Sequence, residues 1–336
     1  MPNSPLIIAE LSGNHGGSLD KALRMVDQSA DAGADMVKIQ TYKPETMTVK
    51  GLDTRFEISN GLWRGYRLHD LYESAMTPWD WHKKLSERAL ANGIPLFSSP
   101  FDETAVQFLE DEINPPLYKI ASFELNHFPL LRAVAQTRKP VIASTGVSSE
   151  KMIKQALDCL REEGCPSVTL LHCVSEYPAN PEDFCLHEMP NLKRLFDTDF
   201  GLSDHSSGHL IAVAATSLGA GVIEKHFSLD REVESIDGAF SMLPEEFKEM
   251  VHAVRLTKVA LGQVGREKKI SAEAAFFKRS ILVSQLVHVG ETLSVKNLRI
   301  ARPGDGLCPS KWDSVLGKKA VRTLPVGHPL STHDFK

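Results

Sequence analysis

The sequence predicts a closed (β/α)₈ barrel of the TIM type followed by a small β-rich domain. Three observations carry this. Eight short apolar runs recur through residue 262, each is followed by a stretch of helical periodicity, and after Gly262 short β-type runs separated by turns take over. Strands alternating with helices build a parallel sheet, and eight such units close into a barrel whose active site lies at the C-terminal strand ends.

The runs are Leu6–Leu11, Met36–Thr41, Pro95–Pro100, Leu117–Ser122, Val141–Gly146, Val168–Cys173, Phe200–His205 and Val222–Phe227. Each ends in polar residues. In order these are Glu10; Lys38 and Gln40; Ser98 and Ser99; Lys119 and Ser122; Ser144 and Thr145; His172; Ser203, Asp204 and His205; and Glu224, Lys225 and His226. The helices between carry ordinary signals. Ser18 caps Leu19–Ala32, with Ala22, Val26 and Ala30 on one face and Gly33 as the stop. Thr77 and Pro78 read as N-cap and first residue of a helix to Asn92. Ser149 opens the next clear helix, and Pro244–Leu261 is the longest.

One connection breaks the rhythm. More than thirty residues separate Thr41 from Thr77, with Trp63, Tyr66 and Tyr72 among them. Long loops in compact domains are functional or disordered, and the aromatic content argues for function: a lid or substrate wall over the strand ends. Residues 1–262 are thus the barrel. Residues 263–276, with Arg266, Lys268 and Lys269, read as a linker, and residues 277–336 as a second domain with strands at Ser280–Val283, Leu298–Ala301 and Lys319–Val321. Sixty residues make a marginal core, so docking or a partner subunit helps it.

Bulk properties narrow the function. The chain has 336 residues, 42% hydrophobic, with a formal net charge of −5. That charge argues against a general nucleic-acid binder. No apolar run approaches the roughly 20 residues of a membrane span. The start Met-Pro-Asn-Ser-Pro lacks signal-peptide character, and five cysteines without a CxxC pair fit a reduced, cytoplasmic protein.

The strand ends hold the candidate chemistry. His205 and His226 end neighbouring strands, where two imidazoles suit Mn, Fe, Co or Zn and leave positions open for Lewis-acid work. A single strand-end histidine is more often a hydrogen-bonded core residue; two that can converge favour a metal. His172 reads as structural. Lys38 and Lys119, facing a barrel interior, must be paired or hold an anion, and one could form a Schiff base. Ser99, Ser122, Ser144 and Ser203 add hydroxyls around the same rim. Glu10 and Glu124 are the acid/base carboxylates, or else merely hold a lysine. The glycine cluster Gly13, Gly16, Gly17 lacks dinucleotide spacing.

These motifs resemble the nonulosonic (sialic) acid synthase family over nearly the whole chain. The likeness rests on Ile8-Ala9-Glu10 with Asn14-His15-Gly16-Gly17, Val37-Lys38-Ile39-Gln40-Thr41, Ser99-Pro100-Phe101, Tyr118-Lys119-Ile120-Ala121-Ser122, Ser144-Thr145-Gly146, Gly201-Leu202-Ser203-Asp204-His205 and Glu224-Lys225-His226-Phe227. The C-terminal part, with Arg302-Pro303-Gly304, resembles the family's antifreeze-like (SAF) domain.

The resemblance implies an enzyme that joins phosphoenolpyruvate to an N-acylated amino sugar, using a divalent metal, commonly Mn, with Mg or Co as alternatives. It implies His205 and His226 as metal ligands. Lys38, Ser99, Lys119, Ser122, Ser144 and Ser203 become phosphoenolpyruvate contacts with Gln40 on the same wall, Glu10 and Glu124 acid/base groups, and Tyr177 and Asp237 sugar contacts. Arg302 would reach the sugar's acyl group in a partner subunit, which implies a domain-swapped homodimer. Ser99, Ser175 and the segment Glu234-Ser235-Ile236-Asp237 depart from the sialic acid branch and resemble the branch that makes pseudaminic acid. The alternatives are an N-acetylneuraminic or legionaminic acid synthase, a metal-dependent hydrolase or Schiff-base aldolase on the same barrel, and a non-catalytic carbohydrate- or ice-binding module.

Overall fold

The computed structural model describes residues 4–232, 235–262 and 269–336. Glu234 and residues 263–268 of the expected linker, Arg266 and Lys268 among them, lie outside them. The chain divides into two compact units, Met1–Gly262 and Gln263–Lys336.

The first unit is a closed barrel of eight parallel strands in sequence order. They are β1 (Leu6–Glu10), β2 (Met36–Thr41), β3 (Leu96–Pro100), β4 (Tyr118–Ile120), β5 (Val141–Ser144), β6 (Val168–Cys173), β7 (Asp199–Asp204) and β8 (Val222–His226). Side chains alternate across a strand, so each strand sends one set inward and one outward. The inward set is apolar at the base, where Ile8, Met36, Phe97, Ile142, Leu171 and Val222 pack as one plug. Two residues further along these strands stand Glu10, Lys38, Ser99, Ser144, Cys173 and Glu224. The plug therefore forms the floor on which the polar mouth is built. The outward set, including Ile7, Ala9, Val37, Ile39 and Ile223, packs beneath the helices.

Several helices follow their local signals. Ser18 accepts from the Lys21 amide at the start of Leu19–Asp31, and Gly33 with φ +91° turns the chain after it. Ser149 caps Glu150–Glu162 in the same way, and Pro244–Leu261 is a continuous helix followed by Gly262.

Two expectations fail. Thr77 and Pro78 do not open the next helix. Pro78 is extended, with ψ 135°, and its carbonyl accepts from the Trp81 amide at 3.0 Å, so a 3₁₀ turn Trp79–Trp81 precedes the helix His82–Ala91. Lys319–Val321 is not a strand either. Lys319 and Ala320 each make only an isolated antiparallel bridge, to Thr292 and to Phe335, so no ladder extends through the segment.

The long connection after β2 contains the helices Pro44–Met47 and Leu68–Ala75 and a 3₁₀ turn Thr54–Phe56. In the second unit, β9 (Ser280–Val283) and β10 (Leu298–Ala301) pair antiparallel over a core that includes Ile281, Val287, Leu293, Leu324 and Leu330. A short helix, Ala272–Phe276, stands within the expected linker. Among the described residues no helix is long and apolar enough to cross a membrane.

Candidate active site

The strand ends open into a cavity of about 470 Å³, a size suited to a small ligand. Its charged centre is a four-residue cluster. Lys38 Nζ lies 3.1 Å from Glu10 Oε2 and 3.0 Å from Glu224 Oε1, and Lys119 Nζ lies 3.4 Å from the same Glu224 oxygen. All four are at most 4% exposed. Register explains the meeting: Glu10 is level with Lys38 on one side and with His226 on the other. Burial alone would raise Glu224, but the Lys119 and Lys38 ammonium groups outweigh it and hold the carboxyl at about 2. Glu10 goes the other way, raised by burial despite Lys38. Burial likewise lowers Lys119.

Hydroxyls and an amide complete the rim. Gln40 Nε2 donates to Glu10 Oε1 at 2.9 Å and to Ser12 Oγ at 3.1 Å. Ser203 donates to Glu224 at 3.3 Å, and Ser122 shares a 2.7 Å hydrogen bond with Ser175. The Ser144 hydroxyl lines the cavity, buried without a partner in the protein. Ser99 sits lower: it accepts from Lys38 at 3.4 Å and does not line the cavity. It therefore holds a lysine instead of facing the open space.

His205 and His226 converge, with ring centroids 5.3 Å apart. Their chemistry fits a metal. Burial lowers His205 to about 4 and His226 well below its ordinary value, so both imidazoles are neutral and keep a lone pair. The Nδ1 of His205 donates to the Val174 carbonyl at 2.8 Å, which leaves Nε2 as the free donor atom; backbone bonds of this kind orient metal-binding histidines. The Nδ1 of His226 is buried without a hydrogen-bond partner and lies 3.5 Å from Asp237 Oδ2. The Tyr177 ring stands 4.5 Å from that of His205, and Phe240 packs 4.9 Å from that of His226. His172 points elsewhere, bonded to the Phe184 carbonyl.

Asp237 is held by two residues of the β1 loop. Its carboxylate accepts from the Ser12 hydroxyl, and its amide donates to Asn14 Oδ1 at 2.9 Å. Asn14 also donates to the Phe227 carbonyl at 3.0 Å and to Ser241 at 2.8 Å, so its whole amide is used. Trp63 Nε1, from the long connection, donates to the Ile236 carbonyl at 3.1 Å and adds an aromatic side to the cavity. Arg302 belongs to the second unit, where its Nε donates to the Phe277 carbonyl at 2.7 Å.

Glu124 follows β4 in a 3₁₀ turn and lines the cavity with Oε2 buried and unpartnered. Burial pushes it up to about 7, against the pull of Lys119. The folded chain thus keeps a proton that the unfolded chain releases near 4.5. Glu124 therefore subtracts stability as pH rises from about 4.5 to about 7. Glu124→Gln is expected to unfold at a higher temperature than the parent at pH 8 and to match it more closely at pH 5. Equal differences at both pH values would show that the carboxyl titrates normally.

Sequence reasoning passed over Glu224 as a site residue, although it bridges both lysines. Its position two residues before His226 on one strand was the available signal. Cys173 and Ser175 were likewise overlooked, and both line the cavity.

Comparison with known proteins places this arrangement. Residues 25–266 match the NeuB family and residues 278–336 the SAF domain. The pseudaminic acid synthase of Campylobacter jejuni is 43% identical over 332 residues, 98% of this chain and 96% of that protein. The pseudaminic acid synthase of Helicobacter pylori is 40% identical over 340 residues, covering 100% of this chain and 99% of that protein. Among solved structures, the N-acetylneuraminic acid (sialic acid) synthetase of Leptospira borgpetersenii aligns with a TM-score of 0.71 at 34% identity, over 81% of this chain and 90% of that one. The chain belongs to the NeuB family and carries a C-terminal SAF domain.

Proposed function

We propose that this chain is a pseudaminic acid synthase, condensing phosphoenolpyruvate with 2,4-diacetamido-2,4,6-trideoxy-L-altrose to give pseudaminic acid and phosphate. The observation that carries this is the 43% and 40% identity, over nearly the full length, to two proteins of that name. The sialic acid synthetase stands lower, at 34%. The apolar flank of the cavity, with Met47, Leu68, Leu71 and Ile236, also suits a deoxy sugar bearing methyl groups.

Phosphoenolpyruvate is a small polyanion. Lys38 and Lys119 supply its counter-charge, and Ser122, Ser144 and Ser203 supply hydroxyl donors. Both lysines are already satisfied by Glu10 and Glu224, so the pocket is held together before the donor arrives. Their fixed positions aim the donor's methylene carbon at the acceptor aldehyde, which is catalysis by proximity. Carbon–carbon bond formation uses the enol double bond and leaves cationic character on the carbon that bears the phosphate oxygen. Water adds there, and the carbon–oxygen bond to phosphate breaks. Glu124, poised near 7, and Glu10 are placed to give or take the protons of these steps. His205 and His226 would hold a divalent cation, Mn first, with Mg or Co as substitutes. When bound, it supplies Lewis-acid polarisation at the acceptor carbonyl. Asp237 and Tyr177 line the acceptor side.

The test is product mass spectrometry with three acceptors: the altrose-derived sugar, its legionaminic counterpart and N-acetylmannosamine. The first is expected to turn over at least tenfold faster. Preference for either of the others would replace the branch assignment while keeping the family. A labelled bridging oxygen in phosphoenolpyruvate should leave with phosphate.

Arg302 is read as reaching the acceptor's acyl group in the barrel of a second copy, within a cytoplasmic homodimer. Mixing subunits tests this. Arg302→Ala and Lys119→Met chains, each impaired alone, should regain activity when co-refolded, because one mixed site has both residues intact. No recovery in verified mixed dimers would rule the exchange out.

A further inference from the structure

We propose that the helix Leu68–Ala75 carries a second divalent-cation site, formed by His69, Asp70 and Glu73 and separate from the barrel mouth. One ligand atom from each of these residues lies within 4.8 Å of the other two. Acidic side chains on a surface helix gather often without binding anything. The buried histidine is what sets this group apart. His69 is only 6% exposed, and its Nδ1 has no hydrogen-bond partner. An unpaired buried nitrogen of this kind is costly.

The surroundings fix which atom is offered. His69 Nε2 faces Glu45 Oε1 at 3.7 Å, from the helix Pro44–Met47, while Nδ1 faces Asp70 Oδ1 at 3.9 Å. With the ring proton on Nε2, the side that faces Glu45, the Nδ1 lone pair is offered on the side of Asp70. Metal-binding histidines are oriented in this way by an outer carboxylate. Glu73 stands four residues after His69, one helical turn on, and so shares its face. The 3.9 Å from Nδ1 to Asp70 exceeds a hydrogen bond, which leaves room for an ion between those groups. One imidazole with two carboxylates suits Zn, Co or Mn, and water would fill the remaining positions. None of the three residues lines the cavity, whereas Leu68, Leu71, Tyr72 and Ala75 of the same helix do. An ion here would brace the back of a cavity wall.

Zinc is the probe. In a full-length chain carrying His205→Ala and His226→Ala, desalted protein is expected to retain one equivalent of Zn²⁺ per chain. Adding Asp70→Asn and Glu73→Gln, at solvent-facing carboxylates, should remove it. If the first variant does not fold, the same two changes in the parent chain should lower its zinc content by one equivalent. No retained zinc in the folded His205/His226 variant, or content unchanged by the Asp70 and Glu73 changes in either background, overturns the proposal. Thermal unfolding in chelator should be the same with and without those two changes, as it would not be if they only damaged the helix.

Discussion

His226→Ala is expected to lower turnover on the order of 10³-fold, equivalent to about 4 kcal/mol of barrier. Two buried imidazoles that both stay neutral, with one Nδ1 left without any partner, make poor structural elements and good ligands. On the proposed metal reading, removing either would leave too few protein donors to retain an ion. His205→Ala should behave alike, and the double variant should be little worse than either single one, if the two residues act through one ion as proposed. Treatment of the parent with a chelator should reproduce the loss, and Mn²⁺ should restore it. Full activity of rigorously metal-free protein would remove the metal from the proposed reaction. Phe240 packs on the His226 ring, so alanine leaves a small void; circular dichroism should confirm that the fold survives.

Lys119→Met is expected to cost about 10³-fold in kcat/KM for phosphoenolpyruvate, about 4 kcal/mol, within the range for truncating one partner of a buried charge pair. The choice of lysine matters. Lys38 touches both Glu10 and Glu224, so its loss would leave Glu10 buried without a cation and Glu224 with Lys119 alone, and would threaten folding. Lys119 shares Glu224 with Lys38, so methionine there leaves Glu224 still paired at 3.0 Å. The protein should fold, and the deficit should appear at the donor, with the acceptor KM changed little. An equal rise in both KM values would mean that Lys119 supports the pocket generally. Borohydride with a keto acid should not trap Lys119; a trapped adduct would favour the aldolase alternative.

The barrel was legible because eight short apolar runs each give way to a stretch of helical periodicity. Boundaries slipped where local hydrogen bonding took precedence over hydrophobicity. The fourth run was read to Ser122, but the chain leaves the sheet after Ile120, and Ser122–Glu124 forms a 3₁₀ turn. The candidate site was legible wherever a polar residue interrupted an inward apolar series, as at Lys38 and Lys119. What a strand-end list could not do was separate the two faces. Asp204 and Lys225 looked as chemical as their neighbours, yet they face out of the barrel and form their own fully buried pair at 2.9 Å. Glu224, one residue away from Lys225, faces in and was undervalued. Only pairing register decides between such neighbours, and register depends on the closure of the whole barrel.

That closure has a bearing on how the protein is made. Glu10 and Lys38 near the start meet Glu224 near the end, and Asn14 grips the chain at Phe227 and Ser241. A nascent polypeptide still short of residue 224 lacks the carboxylate that bridges both lysines, however many of its β/α units have already formed. Contacts so distant in sequence form late and slowly. The charged cluster and the histidine pair are therefore complete only when the eighth strand docks beside the first.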